Sequence, residues 1–283
     1  MRHASDFAAA QRGVTLIEMI VAIVVSGILV AMVSMFVRNQ VQSYTDVAAR
    51  TELADAADSA VRRIARELQA ALPNSVRTSG NFLEFVPMRN AGRYRAQKNV
   101  AGDDELDFSS SSDASFEVFG PPITIALGDQ LVIYNLGITG SDVYAGNNRK
   151  FLGSAAGPVT NLAYAVAGVQ FPLASPQNRF QIVGGPVTLE CAPNAASPEL
   201  GTITRRWCYD YVATQPTVFG ALGAYPGCAA VQSAIVVNGV SACTFSYTAG
   251  ALQRNGQVSI NITLTRNSES VTLQQQVDVL NTP

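Results

Sequence analysis

The stretch whose reading decides the fold is Arg12-Gly13-Val14-Thr15-Leu16-Ile17-Glu18, which opens an apolar run from Val14 to Val37, VTLIEMIVAIVVSGILVAMVSMFV. These 24 residues carry one charge, Glu18. As a helix they span roughly 36 Å, enough to cross the hydrocarbon layer of a bilayer. A carboxylate inside such a segment costs a few kcal/mol even on lenient insertion scales, so it marks a function or a partner. A plain signal anchor with an incidental Glu would leave the placement of this charge, just past Gly13 at the shallow end of the run, unexplained.

The flanks set the orientation. Ahead of the run lies a short polar leader, MRHASDFAAAQRG, with Arg2 and Arg12, and beyond it the chain is long and polar. The positive-inside rule keeps such a leader in the cytoplasm and exports the rest. The end of the run, Ser34-Met35-Phe36-Val37-Arg38, offers no small-residue cleavage site, so the apolar segment is expected to be retained. The helix should also continue. From Asn39 to Leu72 there is no Gly or Pro, and Val47, Leu53, Ala54, Ala57, Val61, Ile64, Ala65, Leu68 and Leu72 recur near helical spacing until Pro73. A helix from about Val14 to about Leu72 is expected, roughly 90 Å long. Its charged residues, among them Arg50, Glu52, Asp55, Asp58, Arg62, Arg63, Arg66 and Glu67, read as a solvated or subunit-facing side.

Gly13 followed by Val14-Thr15-Leu16-Ile17-Glu18 closely resembles the class III signal of type IV prepilins and pseudopilins, usually G-F-T-L-I-E, with Val14 in place of the Phe. The resemblance implies that a membrane-embedded prepilin peptidase cuts between Gly13 and Val14 and methylates the new amine of Val14. It further implies that Glu18 serves filament assembly. A physical reason for the pattern exists apart from the family: cleavage creates a cationic amine one helical turn from Glu18, so neighbouring helices can pair amine with carboxylate in an apolar bundle. The domains expected are a leader at 1–13, a transmembrane half-helix at 14–37, an exported half-helix at 38–72 and a β-rich head at 73–283.

The tail carries a second resemblance. Arg179–Val183, Pro186–Cys191 and the ending Gln276–Pro283 look like the C-terminal region of the family of the biogenesis protein O of the mannose-sensitive haemagglutinin (MSHA) pilus, related to the larger J-type minor pseudopilins of type II secretion. This implies a minor subunit that initiates or caps a pilus. Its partners would be other major and minor pilins, the prepilin peptidase and an inner-membrane assembly platform. It would sit in the inner membrane with its head in the periplasm, and after assembly in the pilus, at its tip. The alternatives are a minor pseudopilin of a type II secretion system and a tip-displayed adhesin. Residues 80 to 180 resemble nothing.

Composition agrees with a turn-rich β head. The chain of 283 residues is 48% hydrophobic and only 14% charged, with 22 Gly and 13 Pro. Its formal charge of -2 supplies no basic field, which argues against a nucleic-acid partner. Short alternating segments at Phe82–Val86, Phe116–Phe119, Gln130–Leu136, Gly168–Pro172, Phe180–Val183, Pro186–Leu189 and Trp207–Val212 read as strands. The clearest pair is terminal: Val258, Ile260, Ile262 and Leu264 alternate with polar residues, Arg266-Asn267-Ser268-Glu269 turns, and Val271, Leu273, Val277 and Val279 alternate again. The fold class expected is α+β, a long N-terminal helix packed on an antiparallel, two-sheet head with two disulfides.

Cys191, Cys208, Cys228 and Cys243 lie 17, 20 and 15 residues apart, with no C-x-x-C spacing. Two disulfides and an oxidising compartment follow. Of three connectivities, Cys191 with Cys208 and Cys228 with Cys243 is favoured, because each closes a short loop rich in Pro, Gly or Ala. The first would enclose a loop from Pro193 to Arg205.

Two further features invite a functional reading. Ala101-Gly102-Asp103-Asp104-Glu105-Leu106-Asp107, followed by Ser109 to Asp113, is an acidic loop whose Asp103, Asp104 and Asp107 are weak calcium candidates without EF-hand spacing. Trp207-Cys208-Tyr209-Asp210-Tyr211 could line a sugar-binding surface or pack beside a disulfide. An enzyme is disfavoured. The only histidine, His3, lies in the leader, no cofactor motif occurs, and Glu84, Asp103, Asp104, Asp107, Glu117 and Asp129 show no catalytic arrangement.

Overall fold

The computed structural model describes residues 13–165, 170–250 and 255–283. The leader expected at 1–13 therefore lies outside the described residues except for Gly13. Contacts divide the chain into two compact units, Met1–Arg50 and Thr51–Pro283.

Among the described residues of the first unit the regular structure is one helix, α1 (Leu16–Gln69), which runs on into the second. Its large apolar side chains from Leu16 to Val37 are 49–79% exposed. By length and composition this helix can cross a membrane. It begins two residues later than the pattern implies, because Thr15 caps it. It also ends before Leu72: Ala71 bridges to Pro87, and the Leu72 amide donates to the Val86 carbonyl at 2.8 Å, so the last residues join a β-type contact instead of another helical turn.

The second unit is antiparallel throughout. Its first strands are β1 (Arg77–Ser79), β2 (Phe82–Phe85), β3 (Met88–Arg93), β4 (Ser115–Glu117), β5 (Ile123–Ile125) and β6 (Gln130–Val132). Then come β7 (Arg149–Phe151), β8 (Gly157–Val159), β9 (Asn161–Ala163), β10 (Arg179–Val183) and β11 (Val187–Ala192). The last five are β12 (Thr202–Trp207), β13 (Gln232–Asn238), β14 (Val240–Thr248), β15 (Gly256–Arg266) and β16 (Glu269–Val279). They form a five-stranded sheet, β1-β2-β11-β12-β13, a four-stranded sheet, β3-β10-β6-β7, and a three-stranded sheet, β14-β15-β16, with two ribbons, β4-β9 and β5-β8.

Two of these sheets share one core with α1. Leu53, Ala57, Val61, Ile64 and Leu68, at helical spacing, are 0–3% exposed and pack with Leu83, Phe85, Val187, Leu189 and Ile203 of the five-stranded sheet. The same core holds Phe245, Val258, Ile260, Ile262, Leu264, Val277 and Val279 of the three-stranded sheet. Each such aliphatic side chain contributes about 1.5–3 kcal/mol by leaving water. The α+β reading thus holds, with two sheets on the helix as expected. The four-stranded sheet adds a second core, built on Tyr94, Phe116, Leu131, Leu162, Tyr164, Phe180 and Ile182. Within it Gly92 is required by its neighbour, since a Cβ there would come 2.6 Å from the Phe180 ring.

The terminal hairpin matches the pattern read from the sequence. β15 and β16 pair from Gly256 with Val279 to Arg266 with Glu269, and β15 buries alternate residues. Asn267 and Ser268 turn the chain with φ of 50° and 66°, the two positive values that a type I′ turn requires.

Three strand expectations need correction. Gln130–Leu136 stops at Val132, and Tyr134 has a φ of 48°, which interrupts an extended chain. The strand placed at Trp207–Val212 instead ends at Trp207, because Cys208 turns left-handed at 64°. Of Gly168–Pro172, residues 166–169 lie outside the described residues, and Gln170 to Pro172 are irregular.

The disulfides also differ from expectation: they join Cys191 to Cys243 and Cys208 to Cys228. Strand register explains why. β11 and β12 pair with Cys191 opposite Ile203, which puts Cys208 about five residues, or roughly 17 Å, along the ladder from Cys191. That exceeds the reach of a disulfide. Cys243, on β14, faces the shared core beside Cys191, so the bridge ties the two sheets that flank α1. The segment Pro193 to Arg205 is accordingly no disulfide loop; it holds a short 3₁₀ turn, Pro198–Leu200, and most of β12.

Candidate functional site

At the start of α1 the local sequence builds a helix cap around the acidic residue. The Glu18 amide donates to the Thr15 hydroxyl at 3.3 Å and to the Thr15 carbonyl at 3.1 Å, and Met19 donates to the same carbonyl at 3.2 Å. Thr15 is therefore the N-cap, and Glu18 stands three positions on, in the T-x-x-E spacing of a capping box. A carboxylate in the first turn is also favoured by the helix dipole. Attention to charge alone misses the part of Thr15, although the T-x-x-E spacing announces it.

This capping leaves the Glu18 carboxylate without an ion-pair partner among the described residues. Ile17, Glu18, Val21, Ala22 and Val25 share one exposed helix face that is apolar apart from the carboxylate. A charge in such surroundings is costly in hydrocarbon until a cation joins it. Gly13 and Val14 precede the cap and are exposed, Val14 by 67%. A Cβ built on Gly13 meets nothing within 4 Å. The local fold therefore places no demand for glycine at this position, and any such demand comes from another molecule.

The other residues singled out from the sequence are placed elsewhere. Asp103 accepts from the amides of Asn99 and Val100 and pairs with Arg95 at 3.2 Å. Asp104 accepts from Ser115 and Asn161, both at 2.7 Å. Asp107 accepts from the amide and hydroxyl of Ser109. Hydrogen bonds from Ser109 hold the Asp107 carboxyl below its ordinary value, and those from Asn99 and Val100 with the Arg95 charge do the same for Asp103. The oxygens of Asp103 and Asp107 thus serve the loop itself, those of Asp104 tie it to β4 and β9, and among the described residues no group of three or more His, Cys, Asp or Glu could hold a metal ion.

Of the aromatic run, Tyr209 is fully buried and Trp207 is half-buried against the shared core with Arg205 over its ring at 4.9 Å. Tyr211 donates to the Gly184 carbonyl at 2.6 Å and lies under the Arg149 guanidinium at 3.8 Å. The run is packing around the Cys208–Cys228 bridge. Of the acids weighed from the sequence, Glu84 and Asp129 are buried. Glu84 is 0% exposed, pairs with Arg77 at 2.7 Å and accepts from the Tyr209 hydroxyl at 2.9 Å. Burial pushes its carboxyl up, opposed by the charge and hydrogen bond of Arg77. The arrangement holds β1 and β2 to the segment after β12 and offers no open face for a substrate.

With this geometry in place, comparison with known proteins is specific at one point. Residues 9–34 match the family described as the prokaryotic N-terminal methylation motif. That is a type IV prepilin signal and indicates a pilin-like chain; such a signal implies processing by prepilin peptidase and assembly with other pilins. No curated protein and no solved structure matches the chain.

Proposed function

We propose that the protein is a minor pilin-like subunit that initiates or caps assembly of a type IV pilus of the MSHA kind. The observation that carries the reading is the methylation motif over residues 9–34 with Glu18 exposed on an apolar helix face and, among the described residues, without an ion-pair partner. Prepilin peptidase cuts between Gly13 and Val14 and methylates Val14. The apolar half of α1 waits in the inner membrane, with the disulfide-bonded unit in the periplasm. Glu18 then takes the freed amine of a neighbouring subunit, so that two charges awkward in hydrocarbon neutralise each other and fix the axial register. The large β-rich unit, about 200 residues beyond the helix, suits a tip or priming position that copies of itself need not surround. The chain acts as a structural subunit and not as an enzyme.

The test is Gly13→Ala in cells that carry the matching peptidase. Since a methyl group at this position meets no neighbour, the variant folds normally, and the account expects it to accumulate uncleaved. Wild-type rates of trimming would remove the peptidase from the account.

A further inference from the structure

The end of β3 carries a second site, independent of the assembly reading. β3 pairs with β10 in a register that sets Arg93 directly opposite Arg179. On its other side Tyr94 bridges to Val118, and the Phe119 amide donates to the Arg93 carbonyl at 2.7 Å, so Phe119 lies opposite Arg93. Residues opposite one another in antiparallel strands project from the same face. Arg179 on β10, Arg93 on β3 and Phe119 just beyond β4 therefore form one row.

Like charges placed directly opposite each other destabilise a strand pair, and a nearby carboxylate would ordinarily relieve them. Here none does. Arg95 takes the local acids, Asp103 at 3.2 Å and Glu117 at 2.7 Å, and among the described residues neither Arg93 nor Arg179 forms an ion pair. Beside this row opens a cleft of about 500 Å³, within the range of small-ligand sites, lined by Arg93, Arg95, Gln97, Asn99, Phe119 and Asn178. Its floor is fixed: Tyr94 is 2% exposed, and its hydroxyl accepts from the Ser175 amide at 3.1 Å. Phe119 stands 63% exposed at the rim.

We propose that this cleft binds an acidic saccharide. The guanidinium of Arg93, reinforced by the field of Arg179, takes a carboxylate or sulfate on the sugar and so neutralises the opposed pair. The Phe119 ring takes the apolar face of a pyranose, and the amides of Gln97, Asn99 and Asn178 offer donors and acceptors to its hydroxyls. A free anion would use the arginines alone, and an acidic peptide would leave the ring without a flat partner.

Calorimetric titration of the full-length chain in detergent micelles tests this. The probes are an oligogalacturonate, a heparin-derived oligosaccharide, a neutral maltooligosaccharide of equal length, a polyglutamate peptide and inorganic sulfate. At least one of the two acidic saccharides should bind and the neutral one should not. Arg93→Gln with Arg179→Gln should weaken binding by about tenfold or more. Phe119→Ala should weaken saccharide binding while leaving any sulfate binding unchanged. Because the double arginine variant relieves repulsion between an exposed and a half-buried position, its thermal midpoint should not fall, which separates lost binding from lost folding. Equal binding of neutral and acidic sugars, no binding by either acidic sugar, indifference to the arginine or the Phe119 substitution, or preference for the peptide would each overturn the proposal. Filament entry plays no part in the readout, so failure here leaves the assembly reading standing, and the reverse.

Discussion

Removal of the Cys191–Cys243 bridge, as Cys191→Ala with Cys243→Ala, is the perturbation that bears most on how the sheets are held. The residues are 52 apart in sequence and are 2% and 7% exposed in the core beneath α1. On the chain-entropy account, opening a loop of that length costs about 4 kcal/mol, against about 3 kcal/mol for the 20-residue separation of Cys208 and Cys228. The larger loss should come from the bridge that joins β11 to β14, because it constrains the two sheets of the core as well as the longer loop. Urea unfolding followed by tryptophan fluorescence reads this directly, since Trp207 is the only tryptophan and packs on that core. Thiol labelling of single variants checks the pairing: Cys191→Ala should expose a reactive thiol at Cys243 and at no other position. Label on Cys208 in that variant would refute the connectivity and with it the strand register from which it follows.

Three further outcomes are expected. Ile64→Ala, at a position 1% exposed on the helix face in the core, should lower unfolding free energy by about 3 kcal/mol in the same urea assay. Arg77→Met leaves Glu84 buried without its cation and should cost about 3 kcal/mol at neutral pH. The carboxyl of Glu84 is already raised by burial, so its contribution is present in full below its ordinary value and is lost as pH rises through the raised one. The deficit of Arg77→Met should therefore shrink as pH falls, because a protonated Glu84 needs no partner; a pH-independent deficit in thermal melts would contradict this. Glu18→Ala should be trimmed normally yet enter filaments about tenfold less, by immunoblot of sheared pili, since its apolar face no longer carries the charge that seeks a neighbour's amine.

Much of the architecture was legible because local signals sufficed. The apolar run with a charge after Gly13, the helical spacing through Leu68 and the two-residue turn at Asn267 and Ser268 each express a preference of a few neighbouring residues. What escaped depends on distant partners. β14 hides its alternation because a bulge between Val240 and Ala242 shifts the phase ahead of Cys243 and Phe245. β12 looks too charged for a covered strand, but Arg205 pairs with Glu67 at 2.8 Å and Arg206 with Glu190 at 2.6 Å. The disulfides differ from the sequence expectation for the same reason: closeness in sequence favours Cys191 with Cys208, whereas strand register separates them. At the candidate site, Glu18 was evident from its cost in hydrocarbon, and the Thr15 cap stood in the T-x-x-E spacing. The opposed arginines at positions 93 and 179 are not legible, because the pairing that brings them face to face joins β3 to β10, strands far apart in sequence.

The most direct measurement is the intact mass and N-terminal peptide of the native chain recovered from membranes and from sheared filaments. The account predicts that both pools begin at Val14 with its amine methylated. A chain that retains Gly13 and the residues before it, in membranes and filaments alike, would contradict it.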